Sequence, residues 1–209
     1  MSDRDAVRRG YDEMAETYAA ERSEGGRGTE LLTDFLDALP DDPRVLDAGC
    51  GQGTPVLARL AESGDPLGLD FSREQLRLAA VNVPGASLSQ GDMTALPFRD
   101  DAFDAVTAYN SLIHVPYGDH ETVLGEFARV LRPGGRVLLT EGCQEWSGEN
   151  PDWLDTGVEM QWDIAGTEAT RAQLESAGFA VVGEWEVTDR LNDDGEEVPK
   201  PVFEARLVG

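Results

Sequence analysis

Lysine is nearly absent from this 209-residue chain, occurring once, as Lys200. Seventeen basic residues stand against forty-one acids, giving a formal charge of −24. A field of that sign repels nucleic-acid backbones and anionic membrane surfaces, and no basic face exists to overcome it. The acids are dispersed through every polar stretch, from Asp12-Glu13 to Glu196-Glu197, rather than gathered at one site. Dispersed acid with almost no lysine points to a halophilic protein, in which molar salt screens the repulsion. No run of eighteen apolar residues exists, so no membrane helix is expected. The opening Met1-Ser2-Asp3-Arg4-Asp5 lacks the basic-then-apolar layout of a secretion signal, and a cytoplasmic protein is expected.

Cysteine is scarce too. Cys50 and Cys143 are far apart, in no Cys-x-x-Cys pair and at no metal-ligand spacing from a histidine, so no metal site is expected. Two small buried thiols are the simpler reading.

What the sequence does hold is a steady alternation of strands and helices. An amphipathic helix over about Asp5 to Glu21 ends at Gly25-Gly26-Arg27-Gly28, and a second runs from Thr29 to Ala38. Strands at 44–47, 66–70, 86–89, 103–109 and 136–140 alternate with helices at 54–62, 72–80 and 120–131. Such alternation builds a doubly wound parallel sheet. After a helix at 168–177, strands at 179–188 and 202–207 flank the polar turn Asn192-Asp193-Asp194-Gly195 and predict an antiparallel hairpin. The expected fold is α/β, a Rossmann-like doubly wound seven-stranded sheet, mostly parallel, with an antiparallel C-terminal hairpin. The segment 142–166 lacks strong periodicity and holds Trp146, Trp153 and Trp162, which are expected to wall a substrate pocket or else to pack the lid onto the sheet.

In an open parallel sheet, ligands sit beyond the carboxyl ends of the strands, next to the first. Here that strand runs into Asp47-Ala48-Gly49-Cys50-Gly51-Gln52-Gly53, where glycines allow sharp turning and close approach to a ligand. Asp70 ends the second strand, twenty-one residues after Gly49, where an acid can accept from ribose hydroxyls. The loop and the acid together indicate a nucleoside cofactor. The dinucleotide fingerprint is Gly-x-Gly-x-x-Gly, whereas this loop reads Gly-x-Gly-x-Gly behind Asp47. A carboxylate there opposes a pyrophosphate but suits a cationic sulfonium with an amino-acid tail.

With these residues in place, the chain resembles the class I S-adenosylmethionine-dependent methyltransferases, and within them the small-molecule type 11, menaquinone-biosynthesis-like group. The resemblance runs through Tyr11-Asp12-Glu13-Met14-Ala15-Glu16-Thr17-Tyr18, the loop at 45–53 and Leu69-Asp70-Phe71-Ser72. It continues through Gly91-Asp92-Met93, Leu96-Pro97-Phe98, Phe103-Asp104-Ala105-Val106, Val130-Leu131-Arg132-Pro133-Gly134-Gly135 and Ala177-Gly178-Phe179. It implies one methyltransferase domain over 1–209, with a lid helix in 1–28 and a substrate-pocket insertion at 142–166. By the same resemblance Gly49, Gly51 and Gln52 line the methionine portion of the cofactor, and Asp47 contacts its amino group directly or through water. Bracing of the loop by hydrogen bonds to backbone amides is the alternative role of Asp47. Asp70 holds the ribose hydroxyls beside Phe71 and Gln75, and Asp92 and Met93 meet the adenine. Asn110 and Ser111 face the sulfonium, while Tyr11 and Tyr18 cover the cofactor.

His114, on the loop after Asn110-Ser111, is a candidate general base because its ordinary pKa lies near neutrality; fixing that loop by hydrogen bonds is its alternative role. Glu141, ending the fifth strand, is a second catalytic candidate. The acceptor is expected to be a small molecule: Asn110-Ser111-Leu112-Ile113 is not the Asn-Pro-Pro-Tyr-like motif of amino-methylating relatives. A nicotinamide-dependent oxidoreductase and a non-catalytic module binding S-adenosylmethionine or S-adenosylhomocysteine are the rival functions.

Overall fold

The computed structural model describes residues 3–21, 27–189 and 198–208. Two helices open the chain, α1 (Arg4–Glu13) and α2 (Ala15–Glu21), followed by α3 (Arg27–Asp37). Then come β1 (Arg44–Ala48), α4 (Val56–Leu60), β2 (Asp65–Asp70), α5 (Arg73–Asn82), β3 (Ser87–Gln90) and β4 (Phe103–Ala108). The second half comprises α6 (His120–Val130), β5 (Leu131–Thr140), β6 (Trp146–Asn150), β7 (Met160–Ile164), α7 (Thr167–Ser176), β8 (Phe179–Asp189) and β9 (Val198–Leu207).

Seven strands form one sheet in the order β3-β2-β1-β4-β5-β9-β8. The first five pair in parallel, and β9 runs antiparallel to both β5 and β8. This is the Rossmann-like fold that the alternation predicts. The expected turn at 192–195, and Gly25 and Gly26, lie outside the described residues.

Period-two alternation in the strands builds a core on each face. Leu46, Val106, Val137, Leu139 and Phe203 pack under Leu124 and Phe127 of α6 and Leu174 of α7. Their neighbours Val45, Ala105, Leu138 and Val202 face the other way, onto Leu32 and Phe35 of α3 and Leu57 of α4. With both faces covered, the open ground for a ligand is the carboxyl edge of the parallel strands.

Two features depart from the sequence reading. The single helix expected over 5–21 is broken at Met14, whose backbone leaves the helical region while its N–H still donates to Gly10 O. From either side of the break, Tyr11 and Tyr18 both reach Trp153, with ring centroids 6.1 and 5.7 Å away. The aperiodic 142–166 segment folds as a second, two-stranded sheet, β6 pairing antiparallel with β7 from Trp146↔Ile164 to Asn150↔Met160. Val7, Tyr11, Met14 and Tyr18 bury themselves against Trp153 and Met160 of that segment, forming a third core above the sheet edge. Gly10 permits the approach: a Cβ there would lie 3.1 Å from Glu159 O and from Met160 Cε.

Candidate functional site

A cleft opens at the carboxyl edge of β1, β2, β3 and β4, where an open parallel sheet takes its ligands. Tyr11, Tyr18, Gly49, Gly51, Gln52, Asp70, Phe71, Gln75, Asp92, Met93, Asn110, Ser111 and His114 all line it. Residues nominated from five separate stretches of sequence are thus brought to one place. Asp47 and Glu141 are not among the lining residues.

The glycine loop has its shape for a reason beyond ligand approach. Gly49, Gly51 and Gly53 have φ of +80°, +53° and +92°, a region unfavourable to side-chain-bearing residues. A Cβ on Gly49 would sit 2.3 Å from Ser111 Cβ, so the close neighbour at this glycine is the loop after β4. Ser111 is held there by its hydroxyl, which donates to Ala48 O at 2.8 Å. At Gly51 the nearest atom to an added Cβ is Gln75 Oε1, 3.7 Å away, so that position is strained by backbone alone. Gln52 lines the cleft, but its side chain braces the loop: it bonds Thr54 backbone and hydroxyl and accepts from Asn82.

Asp70 is buried at the end of β2, its two oxygens accepting from the N–H groups of Gly51 and Ser72, each at 2.8 Å. Burial pushes its pKa up to about 6 although these backbone donors favour the anion. A carboxylate offers about four lone-pair sites, so acceptor capacity remains for a donor from the cleft. Gln75 supplies a sharper sign of a missing ligand. Its side chain is 1% exposed and lines the cleft, and among the described residues neither its amide nitrogen nor its oxygen has a hydrogen-bond partner. Leaving such groups unsatisfied costs about 1–3 kcal/mol each, which a polar ligand would recover. Gln75→Leu is therefore expected to raise the stability of the ligand-free protein by about 1–2 kcal/mol in denaturant melts while weakening cofactor binding severalfold. A destabilised, normally binding variant would refute that role.

At the β3 end, Asp92 Oδ1 accepts from the N–H and hydroxyl of Thr94, both at 2.8 Å. Its other oxygen accepts from Arg4 at 3.0 Å, and Arg4 also donates to the Thr94 hydroxyl. Sequence reasoning missed Arg4. The available signal was its spacing, seven residues before Tyr11 and so on the same face of α1. Asp12 of the same helix accepts from Ser72 Oγ at 2.8 Å, fastening α1 to the start of α5. Tyr109 and Cys50 also line the cleft unforeseen. Burial raises the Cys50 thiol well above its ordinary pKa, helped by Asp70 and Asp47, so it stays protonated and inert. Cys143 is half-buried rather than buried.

Several nominated residues lie outside the cleft and make structural contacts instead. Asp47 is buried within β1, and its Oδ1 accepts from Thr107 Oγ1 at 2.8 Å, tying β1 to β4 beneath the cleft rather than within it. Glu141 is buried outside the cleft and accepts from Ala165 N at 3.1 Å, joining the end of β5 to the end of β7. Burial lifts its pKa to about 7. Trp146, Trp153 and Trp162 do not wall the cleft. Trp153 packs on Tyr11, Tyr18 and Trp162, and Trp162 on His114, so the indoles fasten the N-terminal helices to the β6–β7 segment.

His114 lines the cleft but is fully engaged. Its Nδ1 lies 2.9 Å from Gln161 O, and its Nε2 lies 2.8 Å from the Tyr11 hydroxyl. A carbonyl only accepts, so Nδ1 carries the proton and Tyr11 O–H donates to Nε2. Burial, the dominant cause, lowers the His114 pKa to about 4. The ring is a weak base whose free lone pair already holds a proton donor, an arrangement suited to anchoring the loop.

Among the described residues no helix is long and apolar enough to cross a membrane, and no cluster of metal-ligating side chains exists.

Residues 45–135 match the profile of a family described as a methyltransferase domain. The chain is 39% identical over 124 residues to the methyltransferase GfsG of Streptomyces halstedii, covering 56% of this chain and 44% of that protein. It is 35% identical over 136 residues to a demethylmenaquinone methyltransferase of Streptomyces avermitilis, covering 63% of this chain and 58% of that one. The chain thus spans about half the length of these curated relatives. Its fold superposes on that of a SAM-dependent methyltransferase from Methanosarcina mazei with a TM-score of 0.75 at 22% identity, covering 84% of this chain and 97% of the other.

Proposed function

We propose that the protein is a class I, S-adenosylmethionine-dependent methyltransferase that transfers the cofactor's methyl group to a small organic acceptor, a reading supported by the methyltransferase-domain match, the methyltransferase relatives and the fold. The observation that carries this reading is the cleft itself. It gathers the positive-φ glycine loop, buried Asp70 and Gln75, and Asp92 along the edges of β1, β2 and β3.

These residues fit the cofactor. Asp70 would accept from the ribose hydroxyls through the lone pairs its backbone donors leave over, and Gln75 would find partners for an amide that has none. Asp92 and the Met93 backbone would take the adenine, with Phe71 beside the sugar. Gly49 and Gly51 would flank the methionine portion, and Asn110 and Ser111 would stand at the sulfonium. Tyr11 and Tyr18, on helices fastened through Arg4, Asp12 and the indoles, would close the site as a lid. Asp47 and Gln52 would act from beneath, by holding β1 and the loop in place. The bound cofactor supplies an electrophilic methyl on a good leaving group, so the chain's task is alignment in a pocket that excludes water. His114 then serves as a positioning residue: its two hydrogen bonds hold the Leu112–His114 turn against β7 and α1.

The substrate class is proposed as a small molecule, in keeping with the names of the relatives and with a net charge of −24, which repels nucleic acid. Membership of the menaquinone-biosynthesis-like group is supported by the demethylmenaquinone methyltransferase similarity. Salt adaptation is supported by the −24 charge and single lysine; it requires that the circular-dichroism spectrum collapse when molar salt is dialysed away.

Transfer of labelled methyl from S-adenosylmethionine onto small enols, phenols and amines tests the proposal. Turnover on one acceptor class is expected. Tight cofactor binding with no transfer to any of them would favour a non-catalytic binding module.

The Asp70 carboxyl gives a pH signature. Its folded pKa of about 6 exceeds the ordinary value of 3.8, so the folded, ligand-free protein holds this proton more tightly than the unfolded chain. The resulting stabilisation is complete below pH 3.8 and lost as pH rises through about 6. Ribose hydroxyls donate to the anion, so affinity runs oppositely. Cofactor affinity is expected to rise through pH 6 and level off above it, with proton uptake by buffer on binding at pH 5.5. An affinity flat from pH 5 to 8 would refute the assignment.

A further inference from the structure

At the amino ends of β4 and β5, opposite the carboxyl edge that carries the cofactor cleft, lies a further pocket of different character. Three arginines line it, Arg132, Arg136 and Arg206, together with one acid, Asp104. Leu39 and Pro40, just past the end of α3, supply apolar surface. In a chain of net charge −24, three cations about one pocket reverse the sign of the surroundings locally.

The register of the sheet sharpens this. Arg136 and Arg206 are direct partners across the antiparallel β5–β9 pair. Both side chains therefore leave the same face, the one on which Leu138 and Val202 meet α3. Like charges set opposite one another in a sheet repel and destabilise it. Acids answer two of the three arginines. Glu204 pairs with Arg136, and Asp104 pairs with Arg132 while its other oxygen accepts from the Arg44 N–H. Arg206 has no carboxylate partner among the described residues. Its Nε donates to Gly134 O at 3.3 Å, and its terminal nitrogens donate to none of the described residues. Gly134, at φ +78°, makes room for it, since a Cβ there would lie 3.2 Å from Arg206 Nη2. A guanidinium carries five N–H donors, so Arg132 and Arg136 also keep donors beyond their ion pairs.

We propose that this pocket is a ligand site separate from the cofactor cleft, taking the phosphate group of a small phosphate monoester whose apolar part rests on Leu39 and Pro40. A phosphate presents three terminal oxygens to three guanidiniums, and the guanidinium fork matches it in bidentate fashion. Set between Arg136 and Arg206, it turns a cross-strand repulsion into a shared attraction. Asp104 and Glu204 do not do this, because each is paired with a different arginine. A carboxylate has only two oxygens to offer, so it fills the site less well. The apolar surface matters because the overall charge of −24 repels a bare anion at long range. This site stands or falls independently of the methyl-transfer reading.

The test uses the full chain at the lowest salt that preserves its circular-dichroism spectrum, at about pH 7.5, where a phosphate monoester is largely a dianion. Phenyl phosphate, benzoate and benzyl alcohol, which share an aromatic body, are titrated by saturation-transfer NMR. Phenyl phosphate is expected to bind saturably, benzoate at least about threefold more weakly, and benzyl alcohol more weakly still. Arg206→Gln should weaken phenyl phosphate binding by about tenfold or more. Because that variant also removes the like-charge pair, its ligand-free melting temperature should equal or exceed that of wild type. Arg4→Gln removes the cation that lines the cofactor cleft and should leave phenyl phosphate affinity within about twofold. No saturable binding by wild type, binding that survives Arg206→Gln, or binding lost in Arg4→Gln instead overturns the site. Benzoate binding as tight as phenyl phosphate overturns the phosphate assignment. A binding loss accompanied by a lowered melting temperature would make Arg206 a structural anchor of the Gly134 turn, and it too overturns the proposal.

Discussion

Asp70→Ala is expected to weaken S-adenosylmethionine and S-adenosylhomocysteine binding between ten- and a hundredfold while the protein remains folded. A hydrogen bond to a charged acceptor contributes about 1.5–3 kcal/mol, and two ribose hydroxyls would lose theirs together. Each 1.4 kcal/mol is about tenfold in affinity, and the full sum is not reached because paired interactions at one carboxylate are not additive. The fold survives for a separate reason. Removing the side chain deprives the Gly51 and Ser72 amides of an acceptor, but it also removes a carboxyl that burial disfavours as an anion. The two effects oppose one another, and the net change in stability should stay within about 2 kcal/mol. Unchanged affinity by calorimetry would remove Asp70 from the site.

Gly49→Ala is the second large effect, and it acts on the fold. A non-glycine residue in the left-handed region costs about 1–2 kcal/mol. The new Cβ would meet Ser111 Cβ at 2.3 Å, and that neighbour cannot swing away because its hydroxyl is tied to Ala48 O. Overpacking of this kind costs a further 1–3 kcal/mol or so. A loss of roughly 2–5 kcal/mol is a large part of a domain's total stability, and a melting-temperature drop on the order of 5–15 °C should accompany it. Gly51→Ala isolates the backbone share, since its Cβ finds ordinary space, and should cost only about 1–2 kcal/mol. In the double variant Gly49→Ala with Ser111→Gly, relief of the clash should recover part of the loss. Equal destabilisation by the two alanines would show that the Ser111 contact is not what fixes Gly49.

How much of this was legible in the sequence follows from where each feature's physics resides. The seven-stranded sheet was, because alternation of short apolar runs with amphipathic helices is a local signal, and β1 and β4 each bury all but one residue. The β6–β7 pair was not. Trp146-Ser147-Gly148-Glu149-Asn150 has no clean alternation and is mostly exposed, and it is a strand because Met160–Ile164 pairs with it. The helix break at Met14 was equally hidden, since Tyr11 and Tyr18 keep helical spacing on either side of it.

The site divides in the same way. Motif position carried Asp70, Asp92 and the glycines to the cleft, because the residue after a strand is placed by the strand. Position alone could not say which way a side chain faces. Asp47 and Glu141 both belong to strand edges of the right kind, yet one turns to Thr107 and the other to Ala165. Away from the cleft, the charges of Arg136 and Arg206 were visible in the sequence, but their meeting depends on β9 being laid beside β5. His114 had a sequence argument for base chemistry resting on its ordinary pKa, and burial between Tyr11 and Gln161 removed it.

The central claim is that this cleft holds S-adenosylmethionine, and one calorimetric experiment reaches it most directly. The wild-type protein at pH 7.5 or so, in the salt that keeps it folded, is titrated in parallel with S-adenosylhomocysteine and with oxidised nicotinamide dinucleotide. Saturable one-to-one binding of S-adenosylhomocysteine, lost by tenfold or more in Asp70→Ala, together with no measurable heat from the dinucleotide, is the predicted result. Dinucleotide binding that depends on Asp70, or S-adenosylhomocysteine binding indifferent to it, would contradict the account.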